Sequence, residues 1–413
     1  MATSSEIASV ANGAPAVVAA DLLIAAAGPV DAEALRQRVT EAVRAFGAYE
    51  PGELRIAVAS PVASVAEGAV IDSVGGVQFV NYALAASATP ALPWLTAPAA
   101  YREIARLAER IGARTCLVFG QDLGALDEAT VAALARPLFE GKALVSAPLY
   151  PTGKYEGLLN GGILYPFTRA LYGKAIRHPF AVDFGIAGAM IAKLAADAPR
   201  GPVGEILCPL VEGAVADLAI AQSHISASHV TQSEGIDLST VLGALAGCAF
   251  EDAERNAAFW QRVRGSQATA VYSSPSAAVA DGQNVDVRPL IESFQIGFRN
   301  LQEIWGLVLP PVTLLELKRL SRLGADQFQM PDSLWAKIVY DFALAHRLRP
   351  ISRSHLLGAL TPLYLGWVAS YATEIQGGDA DAAEQRVERL AVAYEAAKPY
   401  FVSRWRWPDR FNP

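Results

Sequence analysis

The residues with the most chemical promise lie between Tyr150 and Gly185, in the run YPTGKYEGLLNGGILYPFTRALYGKAIRHPFAVDFG. Lys154, Arg169, Lys174 and Arg177 supply four positive charges and Glu156 one negative, a net of +3 over residues 152–178. The whole chain carries -7, so this is a basic island on an acidic background. Such an island suits an anionic ligand, a diphosphate or a small carboxylate. A solvated helix face would have the same composition, and both readings stay open. Asp183 follows the island, with Gly185 and Gly188 close behind. A carboxylate there could orient a hydroxyl or act as a base, and it could equally pair with one of the arginines. The two glycines fit a backbone held close to a ligand.

A second piece is Glu234-Gly235-Ile236-Asp237-Leu238-Ser239, ahead of a helix expected over 238–246. Its carboxylates cap that helix or face a crevice shared with Asp122 and Asp183; the capping reading leads. His224 and His229 stand five apart, which is not the four-residue step of a metal pair on one helix face. His178 precedes Pro179 and reads as structural. No Gly-x-Ser-x-Gly, no Walker A loop and no Gly-x-Gly-x-x-Gly after a strand occurs. Serine hydrolases, P-loop NTPases and dinucleotide oxidoreductases are therefore disfavoured.

The elements that must position these residues alternate. Apolar strand-like runs cover 55–60, 77–84, 115–119 and 143–147, and helical periods cover 32–46, 99–111 and 127–139. Alternation of this kind implies crossover connections and a mostly parallel sheet. Ligands meet such sheets beyond the carboxyl ends of the strands, where Asp122 stands. From about residue 285 the texture becomes helical: a stripe from Ile291 to Val308, then helices over 313–323, 332–346, 354–372 and 380–398. The expected organisation is a flexible leader over 1–20, an α/β domain over 21–250 and a helical domain over 251–413.

Composition narrows the function. The 413 residues carry 34 Lys+Arg against 41 Asp+Glu, which argues against a nucleic-acid binder. Hydrophobic residues make up 52%, enough for a large core. Cys116, Cys208 and Cys248 are odd in number and widely spaced, so neither a disulfide framework nor a zinc motif is expected, and a cytoplasmic setting fits. The stretch from Leu356 to Thr373 is uncharged enough to raise the question of a membrane span; a buried helix is the expectation. The tail Arg404-Trp405-Arg406-Trp407 is expected to pack onto a domain or a partner subunit.

With these residues in view, Leu164–Lys174 (LYPFTRALYGK) and Arg177–Gly185 (RHPFAVDFG) resemble a block of bacterial family-2-like glycosyltransferases, near the mannosylglycerate and glucosyl-3-phosphoglycerate synthases. Gly235-Ile-Asp-Leu238, Trp335–Phe342 (WAKIVYDF) and Leu360–Gly366 (LTPLYLG) are similar to the same group. The resemblance covers about 99–190 and 234–405. It implies a GT-A fold, Rossmann-like and nucleotide-sugar binding, followed by helices, and a homodimer or other protein partner. It implies transfer of a sugar from a nucleotide-sugar to a small hydroxylated acceptor. On this basis Asp183 and Asp237 are the expected catalytic carboxylates, and Lys154, Tyr155, Arg169 and Arg177 the expected acceptor contacts. Gln121, Asp122 and Ser60 stand where the donor diphosphate would be met.

The departures fall on the donor side. Gly120-Gln121-Asp122 replaces the usual Asp-x-Asp, and residues 250–259 offer no histidine. Thr96-Ala97-Pro98 stands where a Gly-Lys-Gly would be, and Ser60–Ser64 lacks the usual donor-loop polar residues. No metal site is expected unless Mg²⁺ or Mn²⁺ is held at Asp122 by a rebuilt site. Two functions remain: a divergent transferase, in which Lys174 and Arg177 could replace the metal's charge, or a catalytically inactive relative that binds or assembles.

Overall fold

A computed structural model describes residues 19–43, 54–62, 70–74, 76–84, 95–120, 123–198, 200, 203–226, 237–273 and 285–408. The expected leader, apart from residues 19 and 20, lies outside them, as do Gln121, Asp122, His229 and Glu234.

The first elements among the described residues are strand β1 (Leu22–Ala26), helix α1 (Ala32–Ala42), β2 (Ile56–Val62), β3 (Val70–Val74) and β4 (Val77–Ala83). It continues with α2 (Thr96–Arg110), β5 (Thr115–Phe119), α3 (Glu128–Phe139) and β6 (Val145–Leu149). A π-helical turn (Asn160–Leu164) runs into α4 (Tyr165–Tyr172), followed by β7 (Lys174–Ala175), β8 (Phe184–Ala187), α5 (Ala189–Ala196), α6 (Cys208–Val215) and β9 (Ile220–His224). Then come α7 (Leu238–Arg255), the short α8 (Ala257–Trp260), β10 (Gln267–Ala268) and β11 (Ala270–Tyr272).

Among the described residues nine strands form one sheet in the order β11-β9-β6-β8-β5-β1-β2-β4-β3. The expected mostly parallel sheet is present: seven strands share one direction, and β8 and β3 oppose their neighbours. β1, β5 and β6 are buried on both faces, as the crossover helices require. The chain leaves β1 for β2 on one side and returns to β5 on the other, which makes the β1/β5 gap a topological switch point. β7 and β10 pair as a separate two-stranded ribbon. Strand β1 was not anticipated, because its five residues LLIAA carry no alternation and follow a run rich in small residues.

The remaining helices are α9 (Arg288–Val308), α10 (Pro311–Leu320), α11 (Asp332–Leu348), α12 (Arg353–Ile375) and α13 (Ala380–Arg406), matching the expected helical region among the described residues. The expected boundary at 250 falls inside α7, and β10 and β11 follow, with β11 extending the sheet. Helix α7 crosses the boundary because one apolar face, Val241, Leu242, Leu245 and Cys248, is continuous along it.

The apolar stretch from Leu356 to Thr373 lies in α12, whose Leu356, Leu360, Leu363 and Trp367 are fully buried. A helix buried all round is apolar all round. Among the described residues no helix is long and apolar enough to cross a membrane. The aromatic tail packs onto its own chain. Trp405 meets Trp260 edge-on at 5.2 Å with Arg347 over its ring, and buried Arg404 binds Asp341 at 3.1 Å. Trp407 is exposed. The three cysteines are buried free thiols.

His346, on α11, is buried against Phe250. Burial, helped by the charges of Arg353 and Arg349, lowers its pKa from the ordinary 6.5 to about 4. The unfolded chain therefore binds a proton near pH 6.5 that the folded chain refuses, and stability falls as pH drops from 6.5 towards 4. Urea titrations of the wild type and of His346→Phe across that window should show this loss in the wild type alone. Parallel curves would contradict it.

Candidate functional site

The site is built at the carboxyl end of the sheet. β5 ends at Phe119, and the next amide, Gly120 N–H, donates to Asp183 Oδ1 at 2.9 Å. Tyr150, just past β6, donates its hydroxyl to Asp183 Oδ2 at 2.9 Å. Asp183 precedes β8, which lies between β5 and β6 and opposes both, so its carboxylate clasps the ends of two parallel strands. The Tyr101 hydroxyl donates to the Ala181 carbonyl at 3.0 Å and anchors the approach to Asp183. Burial, followed by the charge of Asp183, raises the Tyr150 pKa and keeps the phenol protonated as a donor. Gly185 gives its space to Leu138 and Leu117, which would lie 2.6 and 2.9 Å from a Cβ there; packing, not a ligand, requires this glycine.

Tyr150 forms part of the wall of a cleft of about 540 Å³. Leu149 and His224, the last residues of β6 and β9, line it, with Val271 of the edge strand β11. Ala175 and Ala268 bring in the β7/β10 ribbon. Gln222 ties the ribbon to the sheet: its amide donates to the Ala175 carbonyl at 3.0 Å, and its oxygen accepts from the Arg177 amide at 2.7 Å. Tyr165 and Arg169 project from α4, and Glu384 and Glu388 from α13.

The two arginines are held by α13. Arg169 Nε donates to Glu395 at 2.7 Å and to Ser266 at 3.0 Å, and its Nη1 donates to Glu388 and to the Tyr165 hydroxyl. Tyr165 in turn donates to Glu388, closing a three-membered ring of hydrogen bonds. Burial works against the charge of Arg169, but the bond to Glu388 and the neighbouring Tyr165 outweigh it and raise its pKa. Arg177 Nε reaches both oxygens of Glu384, at 2.8 and 3.0 Å. Both guanidiniums lie beside the Tyr165 ring, 5.7 and 5.2 Å from its centroid.

Of the residues expected at a site, Arg169 and Arg177 meet in this cleft. Lys154 does not line it. Its ammonium donates to the carbonyls of Gly378 at 3.1 Å and Gln376 at 3.4 Å, closing the end of α12, and it lies 5.3 Å from the Tyr155 ring. Lys174 pairs with Asp217 at 2.9 Å. Asp183 stands one residue behind the wall, through Tyr150. Asp237 is the N-cap of α7, accepting from the Thr240 amide at 3.1 Å, the leading expectation for it; it is not among the residues lining the cleft. Ser60 lies within β2, on the other half of the sheet, with its hydroxyl 3.4 Å from Asn81. The expected calls on Gln121 and Asp122 lie outside the described residues.

Sequence reasoning missed Glu384, Glu388, Glu395 and Gln222. The three glutamates share one face of α13 by their spacing, but their arginine partners lie more than 200 residues earlier, and no local pattern links them. Among the described residues no three His, Cys, Asp or Glu side chains group as a metal site, so the residues seen do not supply one for Mg²⁺ or Mn²⁺. No family model and no curated protein matches this chain.

The carboxylate of Asp183 leads to a sharp expectation. Asp183→Ala strands a buried amide and a buried phenol and should cost about 2–4 kcal/mol. Asp183→Asn keeps an acceptor for Gly120 and a polar partner for Tyr150, and should recover most of that loss. Thermal unfolding of the pair tests the clasp; equal losses in both variants would refute it.

Proposed function

We propose that this chain is a divergent sugar-transferring protein of GT-A type. A nucleotide-sugar sits at the β1/β5 switch point, and a small hydroxylated acceptor occupies the cleft between the sheet edge and α13. One observation carries this reading: a cleft of about 540 Å³ at the carboxyl ends of β6 and β9, with guanidiniums, carboxylates, an amide and two phenols converging from both parts of the chain. That volume suits a small ligand, and that position is where α/β sheets receive one. The resemblance of Leu164–Lys174 and Arg177–Gly185 to glycosyltransferases falls on the same wall.

In the reaction an acceptor hydroxyl oxygen bonds to the anomeric carbon of the donor. The bond from that carbon to the phosphate oxygen breaks, and the nucleoside diphosphate leaves with the electron pair. The hydroxyl proton passes to a carboxylate of the cleft or to water. Glu384 and Glu388, each about half exposed, are the carboxylates that line the cleft and take the acceptor-side role first expected of Asp183 and Asp237. Asp183 then acts as a positioning residue through Tyr150 and Gly120.

A second reading, a binding subunit without turnover, draws on the pairing of both cleft arginines with carboxylates. Lys174 and Arg177, expected to replace the metal's charge, are already paired with Asp217 and Glu384 and would offer a leaving diphosphate little stabilisation. Calorimetry with UDP- and GDP-linked glucose and mannose, with and without Mg²⁺ or Mn²⁺, separates the two. Binding of one donor, changed less than about tenfold by metal, is expected. Absence of binding under every condition would leave only the second reading. A stronger metal effect would contradict a degenerate metal site.

A further inference from the structure

The basic island of residues 152–178 points towards an anionic ligand, and the fold redirects that expectation. Each of its four cations is taken up by its own chain. Lys154 binds carbonyls at the end of α12, and Lys174 binds Asp217. Arg177 binds Glu384, and Arg169 binds Glu388 and Glu395. Two guanidiniums and two carboxylates thus line the cleft, and a third carboxylate, Glu395, stands behind Arg169. Partial burial lowers the pKa of His224 and favours its uncharged form. The formal balance of the two arginines and the glutamates is zero or negative; His178, which also lines the cleft, is buried against the Tyr150 ring.

An incoming phosphate or carboxylate would have to displace Glu384 or Glu388 from its arginine. The intramolecular rival is fixed on α13 and competes at an effective concentration of about millimolar or more. Once displaced, it would remain in the same cleft and repel the ligand that displaced it. A hydroxyl meets neither obstacle, because it donates to a carboxylate oxygen and accepts from a guanidinium or an amide without separating the pair. The paired donors and acceptors of the cleft are complementary to a ring of hydroxyls and not to a fixed charge.

We infer that the cleft selects an uncharged polyhydroxylated compound, a sugar or polyol, and rejects its phosphorylated or carboxylated analogues, with Glu384 and Glu388 as the specificity-determining residues. This rests on reading the cleft as the acceptor site. It differs from the glycerate and phosphoglycerate acceptors that the resemblance to the named synthases would suggest.

The test is saturation-transfer NMR on the full chain with matched pairs: glucose and glucose 6-phosphate, mannose and mannose 6-phosphate, glycerol and glycerate. At least one neutral member should bind about tenfold or more tightly than its charged counterpart. The E384Q/E388Q double variant should gain affinity for the charged member by about tenfold or more, since it frees Arg177, leaves Arg169 with Glu395 as its one carboxylate partner and removes both negative charges that line the cleft. Equal or tighter binding of the charged member by the wild type overturns the inference, as does the absence of binding by every compound. Should the double variant fail to fold, the wild-type comparison alone decides. Donor binding is read separately. A neutral sugar that binds where no nucleotide-sugar does would sink the transferase reading and keep this inference; a nucleotide-sugar bound alongside a preferred anion would do the reverse.

Discussion

Gly162→Ala should destabilise the protein by about 3 kcal/mol, near the upper end for overpacking a core. A Cβ at this position would lie 2.3, 2.5 and 2.9 Å from three atoms of the Trp367 ring. The ring cannot retreat: it is fully buried, stacked on Trp335 at 6.0 Å and packed against Tyr371 at 5.5 Å. Nor can the backbone shift freely, because the Gly162 carbonyl accepts from Trp335 Nε1 at 2.8 Å and the Tyr394 hydroxyl at 3.1 Å. Gly162 therefore lets the π-helical turn meet α11, α12 and α13 at once. That turn sets Tyr165 and Arg169 in the wall of the cleft, so the variant should also weaken ligand binding. Chemical denaturation measures the first effect; a midpoint and slope equal to those of the wild type would show that the contact is not tight.

Arg169→Ala should weaken binding of a neutral sugar in the cleft by about thirtyfold or more, or roughly 2 kcal/mol or more. The guanidinium joins Glu388, Glu395, Ser266 and Tyr165, three of which belong to parts of the chain far from α4. Its removal leaves two carboxylates of α13 without their shared cation. Arg169→Lys should recover little, because a single ammonium cannot span both glutamates as the planar fork does. Titration of the same sugar against the three proteins checks this. Unchanged affinity in the alanine variant would remove Arg169 from the site.

The strands and helices that bring Asp183 and the cleft walls into place were legible in the sequence to unequal degrees. β5 and α3 stand where their apolar runs put them, with Asp127 capping α3 through the Thr130 amide. β8 was not legible, since Phe184–Ala187 is four residues long and its opposition to β5 and β6 is a property of the assembled sheet. The basic island was plain, and its neutralisation was not. The charges that answer Arg169 and Arg177 come from a helix 207 to 226 residues away, and only the packing of α13 on α4 brings them there. Lys154 looked like a ligand contact because it is one of the four cations of the island and lies in the segment that the resemblance placed at the acceptor. The end of α12, which supplies its carbonyl partners, carries no sequence mark that points back to it. Asp183 was legible as an important carboxylate, but its hydrogen bonds to Gly120 and Tyr150 show a clasp behind the cleft wall.

The most direct test is a product assay. Wild-type protein is incubated with UDP- and GDP-linked glucose and mannose, a pool of neutral sugars and polyols, and Mg²⁺, and the mixture is resolved by chromatography. A new glycoside with one equivalent of nucleoside diphosphate, lost in Arg169→Ala, is the outcome expected of a sugar-transferring cleft. Intact donor and no glycoside with every combination would contradict it.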